Sequence, residues 1–165
     1  MKILAIDYGT QNIGLALSDD SQKLAFTYST LKPDTKYIAP CKEPEEASQK
    51  RVNKRLAFEI DEICKKEGVE KVIVGLPINL SGGATSTTQQ VKDFIKELKN
   101  FLDISVETID ERLSTVQAEK IYPVKSTKGG FASQKFHRVK NKKNKNIDEI
   151  SAQILLQSYL DKNDN

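Results

Sequence analysis

Two segments near the N-terminus, residues 2–7 and 13–18, are dense in Ile, Leu and Ala at consecutive positions instead of alternate ones. A strand with one face in water alternates apolar and polar residues, so a strand apolar on both parities needs cover on both faces. Gly9-Thr10-Gln11-Asn12 supplies a turn between the two segments. Residues 22–30 are predicted as a third strand, after the polar turn Ser18-Asp19-Asp20-Ser21. The chain therefore opens as an antiparallel meander that needs helices on both of its faces.

The rest of the chain provides them. Pro33, Pro40 and Pro44 keep residues 33–48 irregular. A helix is predicted over 47–67, with Val52, Leu56, Ile60 and Ile63 as its apolar stripe and Gly68 as its stop. Strands are predicted over 71–76 and 104–109. A helix over 86–100 lies between them and turns Val91, Phe94, Ile95 and Leu98 inward. Ser114 and Gln117 have capping-box spacing for a short helix over 115–121, and Asn146 with Glu149 repeats that spacing for a last helix to about Leu160. Alternating helices and strands after a meander add parallel strands to the same sheet. The expected architecture is α/β: three antiparallel strands plus two parallel ones, in one domain over residues 1–165.

With 165 residues the chain can bury a sizeable core, and its longest apolar runs, such as Val72-Ile73-Val74, are far too short to cross a bilayer. No signal-peptide pattern precedes Asp7, and Cys41 and Cys64 have neither zinc-site nor disulfide spacing, so the expected setting is the reducing cytoplasm. The net charge of +3 is mild, but it is unevenly spread. Residues 123–146 carry Lys125, Lys128, Lys135, Arg138, Lys140, Lys142, Lys143 and Lys145 without a single acid. Phe131, Phe136 and His137 interleave with these charges. Such a loop, expected to be mobile, attracts phosphates and offers rings to unpaired bases; the alternative is a solvated charged loop.

Acids stand at three places where chemistry is plausible. Asp7 ends a buried strand at a glycine turn, and there it serves either the N–H groups of that turn or a cation. Asp110 and Glu111 end the last strand, at the edge where open α/β sheets place ligands. Asp148 lies in the first turn of the last helix, where the helix dipole alone would favour an acid; Glu149 fits the cap, which leaves Asp148 without a necessary structural role. Converging carboxylates suit hard divalent cations such as Mg²⁺ or Mn²⁺. Two such ions about 3.5–4 Å apart activate water and stabilise a leaving oxygen in phosphodiester hydrolysis.

Ile6-Asp7-Tyr8-Gly9-Thr10, Gly14, Ser18-Asp19, Val74-Gly75-Leu76-Pro77-Ile78-Asn79, Asp110-Glu111-Arg112-Leu113-Ser114-Thr115 and Ile147-Asp148 with 154–160 resemble, in order and over nearly the whole chain, the YqgF/RuvX family. Its members are described as Holliday junction resolvases or pre-16S rRNA nucleases. The resemblance implies a ribonuclease H-like fold, a mixed five-stranded sheet with helices on both faces. It also implies a metal site of Asp7, Glu111 and Asp148, with Asp110 the second choice within the DER motif. Arg112 would contact a scissile-strand phosphate or else bridge the acids, and Thr10 would position a water or phosphate or else serve the turn. Gln11-Asn12, the long segment 33–48 and Ser81-Gly82-Gly83-Ala84 depart from the family pattern, and none of these departures removes a ligand.

The expected activity is metal-dependent cleavage of structured nucleic acid, with the 5′ end of a 16S rRNA precursor ahead of branched DNA. A resolvase would need a homodimer to cut two symmetric strands, whereas a monomer suffices to trim an rRNA end. A non-catalytic RNA-binding assembly factor is a competing expectation. An actin-like nucleotide-binding module fits less well, because its second phosphate motif, Asp-x-Gly-Gly, is absent.

Overall fold

In a computed structural model of the chain, residues 1–9, 11–33, 45–76, 86–110 and 147–163 are described. Strands β1 (Lys2–Tyr8), β2 (Ile13–Ser18) and β3 (Ala25–Leu31) form the meander. Helix α1 (Glu45–Glu67) leads into β4 (Val69–Leu76), and α2 (Ser86–Phe101) leads into β5 (Ser105–Asp110). Helix α3 (Ile147–Asn163) is the last described element. The sheet order is β3-β2-β1-β4-β5, antiparallel across β3-β2-β1 and parallel across β1-β4-β5. The expected mixed five-stranded sheet is present, and the expected short helix over 115–121 lies outside the described residues.

The doubly apolar strands divide their side chains between two cores. Leu4 and Ile6 of β1 and Ile13, Leu15 and Leu17 of β2 join the stripes of α1 and α2 on one face. Ile3, Ala5 and Ala16 join Ala152, Leu155, Leu156 and Leu160 of α3 on the other. On its sheet side this second core sets Ala5, Ala16 and Ala25 among Ile3, Ile73 and Ile109. Burying each of the three α3 leucines contributes about 1.5–3 kcal/mol, against about 1 kcal/mol for a typical hydrogen bond. Packing therefore decides where α3 lies, and polar contacts fix its register.

Those contacts hold α3 on both flanks. Toward β3, Gln153 Nε2 donates to the Ala25 carbonyl at 2.7 Å. The Gln157 amide accepts from Ala25 N at 3.0 Å and donates to the Lys23 carbonyl at 3.0 Å. The two glutamines thus occupy backbone groups on the open edge of β3, which would otherwise invite another strand. Toward β5, Tyr159 donates its hydroxyl proton to Glu107 at 2.8 Å, and Lys71 pairs with Glu107 at 2.7 Å.

The boundaries differ from expectation where side chains intervene. β3 begins at Ala25, not at residue 22, because Asp19 organises the turn before it. The Asp19 carboxylate accepts from the backbone N–H groups of Lys23 (2.8 Å) and Leu24 (2.9 Å) and from the Ser21 hydroxyl. α1 starts at Glu45, β4 starts at Val69, and α3 runs on to Asn163. Gly68, at φ 69°, provides the left-handed step that turns α1 into β4. Cys64 is buried and free, and burial pushes its thiol up to about 12, so it is an inert core thiol.

The Asp19 turn gives a pH prediction. Hydrogen bonds from Leu24, Ser21 and Lys23 hold its carboxyl at about 2, below an ordinary 3.8. A depressed carboxylate stabilises the fold above its unfolded value, and that contribution is lost as pH falls toward the folded value. Between pH 4 and 2, the urea midpoint of Asp19→Asn should therefore fall less steeply than that of the wild type; parallel curves would contradict this.

Candidate active site

The pleat decides which side chains meet at the C-terminal edge of β1. Ile3 and Ala5 face α3, so Asp7, two residues further on, shares that face. Its cross-strand partner is Gly14. Ala16 faces α3 as well, so the missing side chain of Gly14 would also point there. A Cβ at Gly14 would collide with the backbone carbonyl of Asp148 and come within 3.0 Å of Glu149 N. The first turn of α3 thus rests on Gly14 backbone to backbone. Antiparallel partners lie about 4.5–5.5 Å apart at Cα, so Asp148 stands beside Asp7. Both are half-buried.

The next strand continues the row. Gly14 pairs with Thr30 of β3, whose hydroxyl donates to Glu149 Oε1 at 2.9 Å. Thr30 reaches that face through a β-bulge. Leu15 pairs with Ser29 while Ala16 pairs with Thr27, so Tyr28 is the extra residue, and the alternation of β3 reverses beyond it. The glutamate predicted to cap α3 thus ties the helix start to the sheet, and the cap partner Asn146 lies outside the described residues.

The turn beside Asp7 is equally tight. Gly9 N donates to the Asn12 carbonyl at 3.0 Å, and a Cβ at Gly9 would sit 2.5 Å from that oxygen. On the opposite face, Tyr8 is buried against Phe94 with ring centroids 4.8 Å apart. Burial holds its phenol above 10.0, and Gln49 of α1 donates to its hydroxyl at 3.4 Å.

Of the predicted site residues, Asp7 and Asp148 are brought together. Asp110 ends β5 opposite Leu76, half-buried. Ile109 belongs to the α3 core while Leu76 packs on the α1/α2 core, so the pleat puts Asp110 on the face away from Asp7. Thr10, Glu111, Arg112 and the basic loop from Lys125 to Lys145 lie outside the described residues. Among the described residues, no three His, Cys, Asp or Glu side chains are grouped to hold a metal. Gly14 and the Thr30–Glu149 pair are the site features beyond the predicted list. A lone glycine inside an apolar strand is the sequence signal of such close approach.

A mixed sheet in the order β3-β2-β1-β4-β5, with an acid on its central strand and another at the start of its C-terminal helix, defines the ribonuclease H-like class. Thermus thermophilus RuvC, solved in complex with a Holliday junction substrate, has this fold. It superposes with a TM-score of 0.56 at 13% identity over 98% of this chain and 96% of its own. The chain belongs to the RuvX family, described as Holliday junction resolvase, whose family model matches residues 1–162. A relative from Maridesulfovibrio salexigens is 32% identical over 97% of this chain and 98% of its own. One from Caldanaerobacter subterraneus subsp. tengcongensis is 34% identical over 100% and 99%. Both are named as pre-16S rRNA nucleases.

The seat at Gly14 is testable by substitution. Gly14→Ala forces a methyl into a backbone contact and should cost about 1–3 kcal/mol of stability, the range for overpacking. Thr30→Val removes the donor to Glu149 and should cost about 1 kcal/mol, whereas Glu149→Gln keeps an acceptor and should cost less. Urea unfolding checks all three; a Gly14→Ala protein as stable as wild type would contradict the seat.

Proposed function

We propose that the chain is a metal-dependent endonuclease that hydrolyses phosphodiester bonds in structured nucleic acid and matures the 5′ end of the 16S rRNA precursor in the cytoplasm. The observation that supports this reading is the seating of the Asp148 backbone on Gly14, the cross-strand partner of Asp7, which draws together two acidic positions 141 apart in the sequence. The names of the relatives and membership of the RuvX family support the reaction class. No helix of the described residues is long and apolar enough to cross a membrane, in keeping with action on a dissolved polymer.

The donor set fits Mg²⁺ or Mn²⁺, since carboxylate oxygens are the ligands hard cations prefer. Asp7 and Asp148 would hold the ions, with Glu111 preferred over Asp110 as the third ligand because Asp110 falls on the far face of the pleat. When bound, two such ions supply an activated water and charge stabilisation at the leaving oxygen. The chain's own part is orientation. β1 fixes Asp7, and the Gly14 seat with the Thr30–Glu149 tie fixes the backbone of Asp148. Arg112 would grip a scissile-strand phosphate with its two-pronged guanidinium. Thr10 would position water or phosphate at the turn. The loop lysines and arginine, Lys125, Lys128, Lys135, Arg138, Lys140, Lys142, Lys143 and Lys145, would concentrate the polyanion next to Asp148.

A second reading, cleavage of branched DNA, draws on the description of the family and on the fold shared with RuvC. One assay separates the two. Wild-type and Asp7→Asn proteins are incubated with a 16S precursor fragment and with a four-way DNA junction, each with and without Mn²⁺. The expected result is Mn²⁺-dependent cleavage of the precursor, reduced in Asp7→Asn by more than the about 10–100-fold typical of outer-shell partners. Preferential cutting of the junction would favour the second reading. Undiminished cleavage by Asp7→Asn would contradict both.

A further inference from the structure

Helix α1 carries a run of cations after its acidic first turn. Lys50, Arg51, Lys54 and Arg55 are all exposed, and no acid occurs among residues 50–58. Acids flank this stretch, Glu45 and Glu46 before it and Glu59, Asp61, Glu62 and Glu67 after it, and the lysines of the last turns pair locally, Lys65 with Asp61 at 2.6 Å and Lys66 with Glu67 at 3.4 Å. Arg55 reaches down to Glu59 at 2.8 Å. Spacing by four residues stacks Lys50 beside Lys54 and Arg51 beside Arg55, and like charges at that spacing destabilise a helix. A polyanionic partner on this face would offset that repulsion.

An aromatic side chain adjoins the basic stretch. Phe58 lies four residues after Lys54 and seven after Arg51, on the same face of the helix. It is 52% exposed and meets Phe101 of α2, 43% exposed, edge to face with ring centroids 6.3 Å apart. Exposed rings set among cations are the composition of surfaces that bind unpaired nucleic acid.

Position favours the same partner. Gly68 alone separates α1 from β4, so the helix end and the strand start are level. Gln49 lies about 27 Å from Glu67 along the helix, close to the about 26 Å that the eight residues of β4 span. The Gln49–Tyr8 hydrogen bond confirms that level, one residue from Asp7. The basic stretch of α1 thus starts near the edge of the sheet that carries the acids, on the face opposite α3. A strand held there is at least about a helix diameter, 10 Å, from Asp7, so it is a different segment from the one cleaved.

We propose that the outer face of the N-terminal half of α1 is a second nucleic-acid surface. Lys50, Arg51 and Lys54 hold the phosphate backbone of a substrate arm away from the scissile bond, and Phe58 stacks on an unpaired base beside it. This deepens the nuclease reading and rests on it. The test is fluorescence anisotropy in EDTA, from 50 to 300 mM KCl, with three probes: a stem-loop RNA with a single-stranded flank, a fully paired RNA duplex and a four-way DNA junction. The triple variant Lys50→Ala/Arg51→Ala/Lys54→Ala should bind at least tenfold more weakly at 100 mM salt. Its log–log salt slope should be shallower by about 2–3, since each phosphate contact contributes about 0.7–0.9. Phe58→Ala should weaken binding to the flanked RNA several-fold and leave the paired duplex unchanged. A shallower slope on the RNA probes alone, or on the junction alone, identifies which arm the surface holds. Wild-type binding with an unaltered slope in the triple variant would overturn this surface while leaving the nuclease reading intact. A wild-type protein that binds none of the probes would overturn the nuclease reading itself.

Discussion

The first turn of α3 and the β2 strand meet backbone to backbone at Gly14, and the arrangement of the sheet's acidic edge depends on that contact. A helix packed through ordinary side chains keeps its axis about 10 Å from a sheet. Here Gly14 lets the first turn of α3 approach β2 more closely, because any side chain at that position would meet the Asp148 backbone. The same contact makes Asp148 a neighbour of Asp7, since Gly14 is the cross-strand partner of Asp7. Packing and chemistry are thus coupled through one missing methyl group.

Around this seat the structure divides its work by magnitude. Leu155, Leu156 and Leu160 supply the bulk of the energy that holds α3 down. The weaker polar contacts set direction: Thr30–Glu149 at the helix start, Gln153 and Gln157 along β3, and Tyr159–Glu107–Lys71 toward β5. A helix held by apolar burial alone could slide along the sheet, and a carboxylate on its first turn would move with it. Hydrogen bonds at both flanks exclude that sliding, which is what a preorganised ligand set needs.

Much of this was legible in the sequence because burial leaves a pattern. The doubly apolar runs of β1 and β2 announced cover on both faces, and the stripes Val52, Leu56, Ile60 and Val91, Phe94, Ile95, Leu98 are buried as read; Ile63 is only half-buried. Asp7 was legible as an acid at the end of a buried strand, serving either the turn or a cation, and Asp148 as an acid without a necessary structural role. What escaped depends on pairing between distant segments. The bulge at Tyr28 turns Thr30 toward α3, and no local signal in Tyr28-Ser29-Thr30 reveals it. Glu149 had the spacing of a cap, whose partner Asn146 lies outside the described residues, and nothing local foretells its bond to a hydroxyl 119 positions away. In β5 both faces are covered, so Val106 and Ile109 point to opposite cores, and composition alone could not tell which side Asp110 takes.

The proposal that Asp7 and Asp148 form one cation site through the Gly14 contact is tested most directly by paramagnetic broadening. Substoichiometric Mn²⁺ added to ¹⁵N-labelled protein broadens amide resonances close to the bound ion, independently of any substrate. The account predicts selective loss of the Asp7, Tyr8, Gly14, Asp148 and Glu149 signals, with those of the distant Asp19 turn and Asp103 retained. Broadening centred on Asp19 or Asp103, or broadening near Asp7 that spares Asp148 and Glu149, would contradict it.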